Sequence, residues 1–253
     1  LPARARELGM HALALTDHGV MYGAIPFYKA CLKHGIKPII GCEAYVAAGS
    51  MNEKASRAEQ PLYHLVLLAK NETGYRNLMH LVSMAHLHGF HYKPRIDFAL
   101  LARHAEGLVC LSSCLAGEIS RLLLQDKVEE ARAAAARYRD LFGGDYYLEL
   151  QDHGLPEQRR VMPKMIALAR ELGIPLAATN DVHYVSPEDH AVQDVLICIG
   201  TGKTLADPER FKMNTDQMYL KSPQEMARLF AHVPEALENT VAIAGKCDLR
   251  LSF

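Results

Sequence analysis

The sequence predicts an α/β protein built on a parallel β-sheet, closed into a barrel or left open. Three observations point there. Short apolar runs with strand character alternate with helical stretches over the first 180 residues. Glycines follow helices and lead straight into the next apolar run, as in HGIKP (34–38) and LGI (172–174). The chain has 253 residues, 49% of them hydrophobic and 23% charged, enough to bury a sizeable core in a normal globular composition.

The strands are expected at 11–16 (HALALT), 37–46 (KPIIGCEAYV), 63–69 (YHLVLLA), 107–112 (GLVCLS), 145–151 (DYYLELQ) and 175–178 (PLAA). Helices are expected at 23–34, 72–86, 126–142 and 156–172. The third, DKVEEARAAAARYRDLF, is dense in Ala, Glu and Arg, which lose little on entering a helix. The stretch 47–61 is polar and aperiodic and is expected to be a mobile loop. Residues 186–253 hold no clear parallel strand. They read as a helical tail with a short extended piece at 217–221 (QMYLK), which divides the chain into a barrel at 1–185 and an extension at 186–253.

The net charge of −1 excludes nucleic-acid binding by overall basicity; such binding needs a local site or a neighbouring domain. The six cysteines (31, 42, 110, 114, 198 and 247) form no CxxC pair and read as reduced, mostly buried thiols. No apolar run approaches a membrane span and no signal peptide opens the chain, so a cytosolic protein without membrane contact is expected. LPARARELG opens in mid-helix and CDLRLSF stops just past one, as in part of a larger protein.

Reactive residues collect at strand ends. Asp17 and His18 follow the run Leu13-Ala14-Leu15; Glu43 and His64 lie in strands; Cys114 follows one; Glu149 closes another; Asp181 and His183 follow PLAA. In a parallel barrel the βα loops gather such residues on one rim. Histidine, carboxylate and thiolate suit zinc, and carboxylate with histidine also suits manganese. More than four such residues suggest more than one ion. Two or three ions close together can activate a water and hold a phosphate oxygen, the logic of phosphoester hydrolysis. Any one of these residues alone has a bland explanation: His64 as a half-buried strand histidine, Cys114 as a small core residue. TDHG and NDVHY, each after an apolar run, carry the signal together.

Three other stretches carry less. His86, His88 and His91 (AHLHGFHY) follow a helix and fit a solvated helix end. GTGKT (200–204) lacks the glycine five residues before Gly202 that a phosphate loop needs; Ile197 stands there. Lys93 and Arg95 (YKPRID) make either an ordinary basic turn or a phosphate contact near the rim.

ALALTDHGVMYGAIPFYKAC, GIKPIIGCEAYVA, HLVLLAKNETGYRNLMHLVS, GLVCLSSCLAGEI, ATNDVHYV and IGTGKTLADPERFKMNTDQMYLKSPQEM together resemble the PHP (polymerase and histidinol phosphatase) domain at the N-terminus of bacterial DNA polymerase III alpha subunits, from Leu1 to Phe253. The resemblance implies a distorted (β/α)7 barrel with a helical extension toward the polymerase palm. It implies up to three divalent ions at the rim, zinc foremost, with manganese or iron also accepted. Its metal positions fall on His18, Glu43, His64, Cys114, Asp181 and His183, with Asp181 and His183 also catalytic and Asp17 orienting a ligand histidine. Glu149 is outside these positions and is expected to hydrogen-bond at the rim.

The family's opening strand, with its H-x-H motif, would precede Leu1 and is not in this chain. The resemblance therefore implies a barrel without its first strand, and a parent protein for DNA replication whose polymerase carboxylates lie beyond Phe253. This stretch alone is expected neither to polymerise nor to hydrolyse DNA. In the parent the expected activity is metal-dependent 3′–5′ exonuclease on a DNA 3′ end, with other holoenzyme subunits as partners, a proofreading subunit among them. The alternatives are a non-catalytic module that braces the polymerase or docks that subunit, and a stand-alone phosphatase, which the tail RFKMNTDQMYLKSPQEMARLF argues against.

Overall fold

A computed structural model describes residues 1–54 and 60–252. Within it the chain runs α1 (Pro2–Glu7), β1 (Ala12–Leu15), α2 (Ala24–Lys33), β2 (Lys37–Ala47), β3 (Leu62–Ala69), α3 (Glu72–Leu87), β4 (Arg95–Ile96), α4 (Phe98–Arg103), β5 (Leu108–Leu111), α5 (Glu118–Leu124), α6 (Val128–Phe142), β6 (Tyr146–Leu150), α7 (Pro156–Leu172), β7 (Leu176–Ala178), α8 (His190–Thr201), α9 (Pro223–Leu229) and α10 (Glu235–Lys246). Of the expected mobile loop, residues 55–59 lie outside the described residues. No described helix is long and apolar enough to cross a membrane.

The strands form one curled sheet in the order β1-β2-β3-β5-β6-β7, with β4 paired to β2 off this path. The expectation of a parallel sheet needs a correction. The pairs β1–β2, β2–β4, β5–β6 and β6–β7 are parallel, but β3 is antiparallel to both β2 and β5. Parallel neighbours need a crossover, usually a helix. No described residue between β2 and β3 is helical, and among the described strands β3 alone is reversed.

Side chains alternate across each strand, and the alternation separates two cores. Cys42, Leu65, Leu67, Cys110, Leu148, Leu150 and Leu176 face outward into the main core with Leu78, Leu81, Tyr138, Val161, Met165 and Leu168 of α3, α6 and α7. Ile39, Val66, Leu68, Val109, Leu111, Tyr147 and Ala177 face into the curl, where Ile243 and Cys247 cover them. Alternation then puts Glu43, His64 and Glu149 on the inward face. The helical tail thus reaches back: α10 packs on β7, and Lys37 Nζ donates to Ala244 O at 2.6 Å. The extended piece at 217–221 pairs through Tyr219 with Tyr184.

Close packing restricts the backbone at several glycines, Gly74 and Gly19 among them. A Cβ on Gly74, in the first turn of α3, would lie 1.8 Å from Gly107 O. Gly19, just after His18, has φ +66° and sits against Pro94 and Tyr45.

Candidate metal centre

Each rim residue is set by backbone pairing. The loop after β1 is stitched to β2: Glu43 N donates to Asp17 O at 3.0 Å and Gly19 N to Glu43 O at 2.9 Å, which puts His18 beside Glu43. His64 stands at the start of β3. Because β3 is reversed, its start reaches the rim where the other strands end. His64 N donates to Ala116 O at 3.1 Å, bringing the turn after β5 and its Cys114 alongside.

Glu43 is the centre. It is only 5% exposed. His64 Nδ1 is 2.6 Å from its Oε1, His18 Nε2 is 3.4 Å from its Oε2, and Ser113 Oγ donates to Oε1 at 3.0 Å. Cys114 Sγ lies 3.8 Å from Glu43 Oε1 and 3.9 Å from His64 Nδ1. The His183 ring centroid is 6.1 Å from that of His18, and His64 meets His18 edge-on at 5.5 Å. His183 Nδ1 is 2.7 Å from Asp181 O and 3.7 Å from Asp181 Oδ1. A carbonyl only accepts, so Nδ1 carries the proton and Nε2 keeps its lone pair, the form a metal-ligating histidine takes.

The structure therefore brings His18, Glu43, His64 and Cys114 into contact, with His183 and Asp181 beside them. Asp17 Oδ2 accepts from Gly23 N at 3.1 Å, at the start of α2. His86 is on α3, with Nε2 2.9 Å from Gly19 O. Arg95 is buried, and its guanidinium is engaged by Gly89 O, Gln60 Oε1, Met51 O and Glu53 O, so it is a structural clamp rather than a phosphate contact. Lys93 is exposed, its Nζ 5.3 Å from the centre of the Tyr45 ring, which itself packs edge-on against His64. GTGKT marks a helix end: α8 stops at Thr201 and Gly202 caps it with φ +64°.

Burial pushes Glu43 up, but the His64 hydrogen bond, the nearby His18 and the Ser113 hydroxyl outweigh it and hold the carboxyl below its ordinary value. Asp181 goes the other way: burial, then the Glu43 charge, raise it. Burial together with Glu43 and Asp181 pushes the Cys114 thiol up to about 12. Three potential anions thus share one rim and penalise one another. A divalent cation removes that penalty and deprotonates a coordinating thiol. Spacing agrees: ligand atoms at zinc-bond lengths are about 3.4 Å apart in a tetrahedron, and His18, Glu43 and His64 offer donor atoms all within 4.8 Å of one another. The donor set fits a divalent ion such as zinc or manganese.

Two of the turns that bring residues to this rim are strained. Ser113 has φ +65° and Asp181 φ +44°, the left-handed region that non-glycine residues enter at a cost.

A family model for the PHP domain matches residues 1–153. The chain belongs to the PHP domain family. Curated relatives of this PHP chain are similar along almost its whole length. DNA polymerase III subunit alpha of Treponema pallidum (strain Nichols) is 56% identical over 249 residues, 98% of this chain and 21% of the relative. The protein of the same name from Borreliella burgdorferi is 50% identical over 247 residues, 97% and 22%, and that from Thermus aquaticus is 45% identical over 245 residues, 95% and 20%. The chain spans about a fifth of the length of these relatives.

Sequence reasoning missed several residues around this PHP rim. Ser113 could have been suspected from its place beside Cys114. His153 had a plainer signal: Leu150-Gln151-Asp152-His153-Gly154 repeats the L-x-D-H-G pattern of Leu15–Gly19 at the end of another strand. Glu149, expected to hydrogen-bond near the rim, does so inward. Its Oε1 accepts from Thr179 Oγ1 and, at 3.0 Å, from Gln151 Nε2, while Oε2 is buried without a partner; Glu149 also lines a small cavity with Ser113, Cys114, Ser120, Gln151 and Gln158.

Proposed function

We propose that this chain is the PHP module of a replicative DNA polymerase, and that its rim binds divalent ions for metal-dependent 3′–5′ hydrolysis of a DNA strand. The observation that carries the reading is the Glu43 carboxylate held between His18 and His64, with Cys114, Asp181 and His183 on the same rim. The polymerase name of the similar proteins supports the replication context. Residues 1–185 would form the barrel, and 186–253 the link toward the polymerase core, anchored on the sheet by α10.

His18, His64 and His183 would supply neutral nitrogens, Glu43 and Asp181 charge, and Cys114 a thiolate, to as many as three ions, zinc foremost and manganese or iron next. When bound, such ions lower the pKa of water and neutralise charge on the phosphate. The chain's own part is orientation. Asp181 O holds the His183 ring through Nδ1, Ser113 and His64 fix Glu43, and Asp181 and His183 would act at the reacting phosphate. Lys93, whose Nζ lies over the Tyr45 ring that packs against His64, would steer the DNA 3′ end. Other holoenzyme subunits, a proofreading subunit among them, would be partners of the whole protein.

Asp181→Asn in the intact protein tests this. The substitution keeps volume and removes charge. Exonuclease activity on a mismatched primer should fall by orders of magnitude, about 1.4 kcal/mol of barrier per tenfold, with melting temperature and polymerase activity little changed. A joint fall in melting temperature and polymerase activity would instead support the second reading, a metal-stabilised brace or docking module without chemistry of its own. Full exonuclease activity in the variant removes Asp181 from the mechanism.

A further inference from the structure

The turn that carries Asp181 and His183 is gripped by a buried histidine outside the rim. His153 follows β6, is 4% exposed, and has its pKa lowered by burial. Its main-chain N–H donates to Gln158 Oε1 at 2.7 Å. An N–H requires an acceptor, so the carboxamide of Gln158 has one orientation, and its Nε2 must face His153 Nδ1, 2.8 Å away. Nδ1 then accepts, and the ring proton sits on Nε2. From there it donates to Asn180 O at 3.0 Å.

That carbonyl belongs to the peptide unit joining Asn180 to Asp181. Fixing its oxygen fixes the plane from which φ of Asp181 is measured, and that φ is +44°. A left-handed aspartate persists only where its surroundings over-determine it. Here they do. Thr179 is tied to Glu149, and the Asn180 side chain donates to Gln217 O at 2.9 Å and Tyr219 O at 2.7 Å. Thr215 Oγ1 holds the His153 carbonyl at 2.9 Å, and His183 N donates to Met218 O at 2.9 Å. Among these contacts, the one on the 180–181 peptide oxygen comes from His153.

We propose that His153, locked in one tautomer by Gln158, is a positioning residue for the metal centre: it sets the Asn180–Asp181 peptide so that Asp181 and His183 both present to the cations. This rests on the metal-centre reading above. It makes the two L-x-D-H-G turns a division of labour, His18 at the rim and His153 behind it.

The test is Mn²⁺ binding to the intact protein, followed by electron paramagnetic resonance, with the melting temperature of the metal-free protein recorded in parallel. His153→Phe fills the space without the donor. His153→Gln restores an N–H near the Nε2 position. Gln158→Met frees the imidazole and leaves it in place. His153→Phe should weaken Mn²⁺ binding by on the order of 10–100-fold, the usual cost of losing a group that orients ligands; Gln158→Met should weaken it less, and His153→Gln should recover most of the loss. Wild-type Mn²⁺ affinity in His153→Phe overturns the proposal, even if its melting temperature falls, because the role is then only structural. A His153→Gln protein as weak as His153→Phe also overturns it. If His153→Phe does not fold, Gln158→Met decides: unchanged Mn²⁺ affinity there is equally fatal. A wild-type protein that binds no Mn²⁺ overturns the metal-centre reading itself, and this inference with it.

Discussion

Glu149→Gln should stabilise the metal-free protein in alkaline solution and do little in mild acid. Burial pushes the Glu149 carboxyl up from 4.5 to about 7, against the opposing hydrogen bonds from Thr179 and Gln151. A raised folded-state value means that the native protein binds the proton more tightly than the unfolded chain. The associated stability is fully present below pH 4.5 and is lost as pH rises through about 7. At about 1.4 kcal/mol per pH unit, the full loss is about 3 kcal/mol. Glutamine keeps the Oε1 acceptor for Thr179 and Gln151 and carries no charge. Urea unfolding of wild type and variant in chelator, at pH 5 and pH 8.5, reads the difference directly. The variant should gain about 2–3 kcal/mol more over wild type at pH 8.5 than at pH 5. An effect of Glu149→Gln that is the same at both values refutes the reasoning, because it would mean that Glu149 is not a buried carboxyl resisting ionisation.

Two further substitutions probe the packing. The Tyr146 hydroxyl is buried with no hydrogen-bond partner, so Tyr146→Phe removes an unpaired polar group and should stabilise the protein by about 1 kcal/mol; a lower urea midpoint would contradict this. Gly74→Ala drives a methyl toward Gly107 O and should cost about 1–3 kcal/mol from overpacking, read as a lower melting temperature with an unchanged unfolding slope.

The strands were legible because each is a short apolar run, and all six expected runs are strands in the structure, within a residue or so at each end. The direction of β3 was not legible. An apolar run such as LYHLVLLA reads the same whichever way it lies in a sheet, and only the nature of the preceding connection decides. That single reversal also explains how His64, near the start of its strand, reaches the rim where the other strands end. Strand β4 pairs only two residues and has no pattern to detect. Arg95 read as a candidate phosphate contact because its four carbonyl and amide acceptors come from positions 51, 53, 60 and 89, which no local pattern connects. Asp17 and His18 are adjacent in sequence, yet one holds the start of α2 and the other faces Glu43. Strand-end position found both and could not separate them.

The central claim is that one rim of this PHP domain is a divalent-metal centre organised on Glu43. Crystals of the intact protein, grown with Mn²⁺ or Zn²⁺ and measured on both sides of the metal absorption edge, test it most directly. The account predicts anomalous peaks touching Glu43, His18 or His64, with Asp181 and His183 on the same cluster, at about 2.0–2.3 Å for zinc. A metal bound only elsewhere on the protein, with Glu43 still joined to His18, His64 and Ser113 and to no ion, would contradict it.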